Sequence, residues 1–303
     1  MIKSQITLKQ LEALCFVVDT GTFRAAAVAL GTTQPNISSR ISALETTLDV
    51  TLFHRHAGSV RLTEKGQDLL AHAREVLRAA EALLESAGRQ ELIEERLRLG
   101  VTELVACTWL QAFLRDLRQA YPGLRVELQV DLSRAIAERL REGQLDLAFQ
   151  NGPFAYKASG EHPLTDEPYV WVANNDVAAR LSPGGSVERF FDTAVLTHAK
   201  HTEAATELHK LADKRGYDVG KIIHSSALSA CLPMVNEGMG VALLPKSLVI
   251  EDLRSDRLQL LEADWVAPPL QFFARYDAAR APRYVARACE IAAAIRPQTA
   301  SNK

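Results

Sequence analysis

Asn36, Ser39, Ser42 and Thr46 fall on one arc of a segment whose opposite arc carries Ile37, Ile41, Leu44 and Leu48, counted at about 100° per residue. Ser38 and Arg40 flank the polar arc, and no bulky apolar side chain interrupts it. Short hydroxyls and a carboxamide on one helix face match the donors and acceptors that base edges present in a DNA major groove, and a helix N-terminus favours phosphate. A solvated helix face would carry the same residue types. The next stretch weights the choice toward nucleic acid: Thr51 to His54 and Val60 to Leu62 read as short strands joined through Ala57-Gly58, carrying His54, Arg55, His56 and Arg61. A basic two-stranded wing of this kind reaches phosphates or the adjacent minor groove.

A second constellation lies at the ends of strand-like runs further along the chain: Thr102 and Glu103, Gln150 and Asn151, Thr197 and His198, Ser225 and Ser226. In open α/β sheets ligands bind where strand carboxyl ends meet helix N-termini. The hydroxyls of Thr102, Ser225 and Ser226 suit a polar, often carboxylated, small molecule, although each would also serve as a plain helix cap. Glu103 is the odd member, facing solvent or favouring an amine-bearing ligand.

Other chemistries lack their residues. Gly238-Met239-Gly240 has neither the third glycine nor the following helix of a dinucleotide site, and no G-x-x-x-x-G-K-[ST] or G-x-S-x-G string occurs. His198, His201 and His209 have no H-E-x-x-H spacing, and Cys15, Cys107, Cys231 and Cys289 are scattered without a C-x-x-C. No catalytic residue, metal or cofactor is expected. Cys107 near a helix start, with Cys231 on what would be an opposing lobe, leaves thiol redox sensing open as an alternative.

The elements that must position these residues follow from periodicity. At 303 residues, 47% hydrophobic and 24% charged, the chain suits two or three well-cored domains. Its net charge of −2 divides unevenly: seven basic against five acidic residues through residue 65 give +2, leaving −4 for the remainder. That surplus permits nucleic-acid binding without requiring it. Leu8, Leu11, Leu14 and Val17 recur at helical spacing after the N-cap Thr7 and stop at Gly21; Thr22 to Leu30 is a short alanine-rich helix ended by Gly31; a third helix starts at Thr33 with Pro35 in its first turn. Helix, short helix, turn and helix form a helix-turn-helix.

From Thr63 one long helix is expected, with Glu64 in its first turn. Leu69, Ala73, Val76, Ala80, Leu83 and Ala87 follow heptad spacing, widened by Leu70, Leu77 and Leu84, so the stripe wants a partner helix or its own domain. The polar run 88–95 reads as a hinge. Beyond it, strands at Arg96 to Val101, Arg125 to Val130 and Leu145 to Phe149 alternate with helices at Cys107 to Ala120 and Arg134 to Glu142. A second set runs from Tyr169 to Leu244, then a strand at Leu270 to Tyr276 and a helix at Arg283 to Ile295 return to the first. Alternation of this kind implies parallel pairing and right-handed crossovers.

Leu11, Thr22-Phe23, Ala26-Ala27, Leu30, Thr33-Gln34-Pro35, Ser38, Ile41, Leu44-Glu45, Leu52-Phe53, Arg55 and Leu62-Thr63-Glu64-x-Gly66 together resemble the N-terminal signature of LysR-type transcription regulators over about the first 66 residues. The position after Ser38 is often basic or a long amide in that family; here it is Ser39, with Arg40 as a partial substitute. The resemblance implies an α+β multidomain fold: a winged helix-turn-helix over residues 1–66, a dimerising linker helix and hinge over 67–95, and a two-lobed α/β effector-binding domain over 96–303. Lobe I would take about 96–163 and 268–303, and lobe II about 164–267, an arrangement similar to periplasmic solute-binding proteins. It implies binding of double-stranded promoter DNA through Thr33, Gln34, Pro35, Asn36, Ser38, Ser39, Arg40, Ser42, Arg55, Arg61 and Thr63. It also implies a small-molecule effector, a homodimer or homotetramer, and RNA polymerase as a partner of an activator.

Met1 to Gln10 lacks the apolar core of an export signal, and the apolar run Leu11 to Val18 contains Glu12 and falls short of the roughly 18 residues of a membrane span. A bacterial cytoplasmic protein, associated with the nucleoid when on DNA, is the expectation; an exported solute-binding protein is not.

Overall fold

The computed structural model describes residues 6–54, 60–181, 185–200 and 202–295. Three helices open the chain: α1 Leu8–Thr20, α2 Phe23–Ala29 and α3 Gln34–Leu48. Thr7 starts α1 with a capping box, its Oγ1 accepting from Gln10 N while Gln10 Oε1 accepts from Thr7 N, and Gly21 ends it in the left-handed conformation at φ 75°. Thr22 Oγ1 caps α2 by accepting from Ala25 N at 3.0 Å. The small side chains of Ala26 and Ala27 let α2 approach closely, and with Leu11, Leu14, Val17, Ile37, Ile41 and Leu44 they close one apolar core. Phe53 pairs with Leu62 in a single antiparallel bridge, and His54 N donates to Arg61 O at 2.9 Å. The rest of the expected wing, including Arg55, His56 and Ala57-Gly58, lies outside the described residues.

The long helix α4 spans Glu64–Ser86. Gly66 in its first turn is required by space, since a Cβ there would collide with the carbonyl oxygen of Leu52. Along α4, Leu69, Leu70, Ala73 and Leu77 join the core of the first three helices, and Leu84 packs on the following domain. The heptad stripe is therefore shared: part of it serves the chain's own domains, while Val76 and Leu83 remain 47% and 70% exposed.

After α4 come β1 Arg96–Val101, α5 Glu103–Cys107, α6 Leu110–Ala120, β2 Arg125–Val130, α7 Ser133–Arg141, β3 Leu147–Asn151 and β4 Gly160–Glu167. They are followed by β5 Tyr169–Asn174, α8 Asn175–Leu181, β6 Ala194–His198, α9 Glu203–Arg215, β7 Ile222–Ser225, α10 Cys231–Asn236 and β8 Gly240–Pro245. The last described elements are α11 Lys246–Arg254, β9 Leu258–Leu261, β10 Leu270–Tyr276 and α12 Arg283–Ala294. Two five-stranded sheets result, in orders β2-β1-β3-β10-β4 and β7-β6-β8-β5-β9. Both follow one plan, with three parallel strands and two more added at one side through antiparallel pairings. The first sheet is lobe I and the second lobe II.

Two features depart from the sequence expectation. The first crossing between lobes is at Pro168 and not near 163, because β4 continues to Glu167 against β10. This strand is an edge, hydrogen-bonded on one side, and so tolerates the Pro163, His162 and acidic residues that hide it in the sequence. The helix expected from Cys107 to Ala120 is broken at Thr108–Trp109, where Thr108 leaves helical geometry. Trp109 instead turns into the core against Phe149, ring centroids 5.1 Å apart.

One apolar core runs through both lobes, joining Leu104, Val105, Trp109 and Phe149 of lobe I to Leu196, Leu228, Cys231 and Val235 of lobe II. A separate core holds the outer side of lobe II around Trp171, Phe190 and Leu208. None of the described helices is long and apolar enough to cross a membrane.

Candidate functional site

Burial of Ile37, Ile41 and Leu44 turns the opposite face of α3 outward. Thr33, Gln34, Pro35, Asn36, Ser39, Ser42 and Thr46 are exposed, while Ser38 and Arg40 are half-buried. Asn36 Nδ2 donates to Thr32 Oγ1 at 3.1 Å, which steadies the carboxamide at the start of the helix. Glu45 Oε1 accepts from Leu52 N at 2.7 Å and fixes the chain leaving α3 toward the bridge Phe53–Leu62. Arg61 is exposed on that bridge. Thr63, expected among the DNA contacts, spends its hydroxyl within the domain: Oγ1 donates to Thr51 O at 2.7 Å and accepts from Gly66 N at 2.9 Å as the N-cap of α4.

The first helices and lobe I meet on α4. Arg74 Nη2 donates to Asp19 Oδ1 at 2.5 Å, tying α4 to α1. Near its other end, Glu81 Oε2 accepts from Arg283 N at 2.7 Å, and Glu85 accepts from Tyr121 Oη at 2.9 Å and Arg283 Nε at 3.0 Å. Between α4 and β1, burial and the nearby charges of Glu12 and Glu81 push the Glu95 carboxyl up to about 7.

The residues expected at strand ends do lie at the carboxyl ends of parallel strands, but they divide into separate clusters. Glu103 Oε2 accepts from Leu228 N at 2.7 Å, and Oε1 accepts from Ser229 N at 3.2 Å and Ser229 Oγ at 2.6 Å. Of the two expectations for Glu103, solvent or an amine-bearing ligand, the structure shows neither directly: the half-buried carboxylate of lobe I is hydrogen-bonded by lobe II. Thr102 and Thr197, 7% and 0% exposed, each bury a hydroxyl that finds no hydrogen-bond partner among the described residues. Ser225 Oγ turns back on its own loop, donating to Ala227 O at 2.6 Å, while Ser226 is exposed. Cys231 Sγ lies 3.9 Å from Thr197 O. Leu228 and Ser229 were not singled out in the sequence because their contribution is chiefly backbone N–H, which carries no residue signature.

Gln150 and Asn151 do not join that cluster. Gln150 is fully buried in lobe I; with its carbonyl turned to the guanidinium it accepts from Arg275 Nη1 at 2.9 Å and donates to Ser133 O at 2.9 Å. Arg275, likewise fully buried, donates from Nε to Glu161 Oε2 at 2.9 Å and lies 3.8 Å over the Phe154 ring. This is an internal, satisfied cluster and explains why an amide and a cation are stable there. Asn151 Nδ2 donates to Gly152 O at 3.0 Å.

His198 belongs to a third group. Its carbonyl accepts from His224 Nδ1 at 2.9 Å, and His224 Nε2 lies 2.9 Å from His209 Nε2. Burial and the neighbouring His224 hold His209 below its usual value. His201 lies outside the described residues. Neither cysteine of the redox alternative is set up as a thiolate: burial and the Glu103 charge raise both, Cys231 to about 11.

The comparisons match this division of the chain. Residues 8–67 match the model of the bacterial regulatory helix-turn-helix protein, lysR family, and residues 90–293 that of the LysR substrate binding domain. The chain belongs to the LysR family of DNA-binding transcription regulators. A relative from Streptomyces viridosporus, named a probable hydrogen peroxide-inducible genes activator, is 33% identical over 301 residues, 97% of this chain and 95% of its own. The regulator GltR of Bacillus subtilis is 24% identical, covering 84% of each chain. A full-length OxyR from Pseudomonas aeruginosa, solved as a cysteine-to-aspartate variant, superposes with a TM-score of 0.58 at 22% identity, covering 99% of both chains. Full-length BenM gives 0.55 at 22% identity, covering 94% of this chain and 95% of its own. These structures share the LysR-family fold: a helix-turn-helix joined to a two-sheet effector-binding domain.

Proposed function

We propose that the exposed arc of α3 enters the DNA major groove, with Gln34, Pro35, Asn36, Ser39, Arg40 and Ser42 nearest the bases. Thr33 and Ser38 flank them, and Arg55 and Arg61 hold phosphates. The observation that carries this reading is the outward polar face opposite buried Ile37, Ile41 and Leu44. Residues 1–66 act as the reading head, 67–95 as the linker and the remainder as the effector domain. A small molecule binds between the lobes near Thr102, Thr197, Ser225 and Ser226, supported by two buried hydroxyls without partners. The protein works in the cytoplasm as a homodimer or homotetramer on promoter DNA, without catalysis, and an activator of this design meets RNA polymerase there.

Gel-shift titration over a salt series tests the DNA reading. Arg61→Ala lowers affinity for all sequences and reduces the salt slope by about one phosphate contact, whereas Ser39 and Arg40 variants change preference among sites by about 1–3 kcal/mol. An unchanged salt slope in Arg61→Ala refutes the wing assignment.

Thiol sensing through Cys107 and Cys231 is the second reading, favoured by the name of the Streptomyces relative. Raised thiols at both positions weigh against it. Intact mass after mild peroxide treatment decides: a stable sulfenate or disulfide at these cysteines establishes it, and an unchanged mass removes it.

A further inference from the structure

The carboxylate of Glu103 stands where an incoming anion is expected. Glu103 opens α5 in lobe I, and its oxygens take three hydrogen bonds, from Leu228 N, Ser229 N and Ser229 Oγ of lobe II. Those amides begin the turn Leu228–Ala230 that runs directly into α10, so they are donors that the helical run itself leaves unmatched. An anion satisfies such donors. No lysine or arginine pairs with Glu103 among the described residues; its hydrogen-bonding capacity is directed at the other lobe. Independently, Thr102 beside it and Thr197 in lobe II each bury a hydroxyl with no partner. Unmatched buried polar groups are uncommon because they are costly, and here one stands on each side of the junction.

We infer that Glu103 is a resident ligand: a carboxylate carried by lobe I that fills the anion subsite of lobe II and latches the lobes together without an effector. The inference rests on the reading that effectors bind between the lobes. It changes the class of molecule that reading admits. A free carboxylate finds its subsite taken and meets a like charge, so the wild-type protein discriminates against simple carboxylates at this point. The effector instead brings a cationic group, an amine, that draws Glu103 from the Leu228 and Ser229 amides. Differential pairing of Glu103 in the two arrangements is then what couples ligand to lobe angle.

Chemical rescue of the full-length protein tests the latch. Hydrogen exchange is followed at the Leu228 and Ser229 amides in wild type and Glu103→Ala, with propionate as probe and propionamide as the neutral control at constant ionic strength. Wild-type amides exchange about tenfold or more slowly than those of Glu103→Ala, as loss of charge-assisted hydrogen bonds requires, and do not respond to propionate. Propionate restores protection in Glu103→Ala and propionamide does not. Retained protection in Glu103→Ala, or equal protection of wild type by propionate, overturns the latch. If Glu103→Ala fails to fold, Ser229→Ala removes one donor from the other side and speeds exchange at Leu228 N by a smaller factor; no change there also overturns it. The effector cleft is tested separately by Thr102→Val. Rescue in Glu103→Ala with an intact effector response in Thr102→Val rejects the cleft and keeps the latch; an abolished response without rescue does the reverse.

Discussion

Glu81 on the linker helix caps the last helix of the effector domain: its Oε2 accepts from the backbone N–H of Arg283, the first residue of α12, at 2.7 Å. Glu85, one turn further along, holds Arg283 Nε and Tyr121 Oη. Two acidic side chains of α4 thus sit at the positive end of α12 and weld the linker to lobe I.

Coupling of lobe movement to the reading heads is expected to pass through this weld. Glu81→Ala is expected to lower stability by about 1 kcal/mol, as loss of a helix cap does. It should leave DNA affinity without effector near the wild-type value and shrink the effector-dependent change. Chemical denaturation and DNA titrations with and without effector measure both. A full effector response in Glu81→Ala would mean that coupling bypasses this contact.

The self-association surface is narrower than the heptad pattern. Leu77 is used by the first domain and Leu84 by lobe I, whereas Val76 and Leu83, seven residues apart on one face, are 47% and 70% exposed. Changing Val76 and Leu83 together to lysine should dissociate the linker-mediated dimer while leaving the melting temperature of the subunit nearly unchanged. Sedimentation velocity reads the outcome, and an unaltered oligomer would place the interface elsewhere.

Acid sensitivity should arise partly from the histidine pair. Since His198 O only accepts, neutral His224 carries its hydrogen on Nδ1, which leaves His224 Nε2 as acceptor and His209 Nε2 as donor across 2.9 Å. Burial, then His224, depresses His209, so the unfolded chain binds this proton more tightly than the native one. The contribution to stability is complete above the unfolded value of about 6.5 and is lost as pH falls below it. Thermal melts from about pH 8 to 5 should show a smaller acid-side decline for His209→Asn than for wild type. Equal declines would assign the acid sensitivity to other groups.

The first domain was legible because its signals are local. A cap at Thr7, a glycine at position 21 and the repeat Ile37, Ile41, Leu44 each declare a helix without reference to the rest of the chain. Strand β4 was not legible: an edge strand buries little, so its sequence keeps no alternation. The heptad stripe on α4 was visible, yet its division between the first domain, lobe I and an exposed remainder was not, because periodicity says that a face is apolar and not what covers it. Topology fixes which residues stand at strand ends, so the places of Thr102, Glu103, Thr197 and Ser225 in the sheets were legible, whereas what their side chains meet was not. The direction of Glu103 depends on backbone amides of Leu228 and Ser229 more than a hundred positions away, and the occupation of Gln150 depends on Arg275. Partners that distant leave no trace in spacing.

The register of lobe I has a consequence for how the molecule is built. Glu167, the last residue of β4, pairs directly with Leu270, the first of β10, and everything between them is lobe II with its two connections, Pro168 and residues 262–269. Lobe II therefore occupies the place of a hairpin turn: its two ends leave the sheet from facing positions about 5 Å apart. A domain tethered in that way is a cassette. The backbone of lobe I would close with a short turn joining β4 to β10, but the core that Trp109 and Phe149 share with Leu228 and Cys231 would then lie open, so any replacement cassette must cover that face.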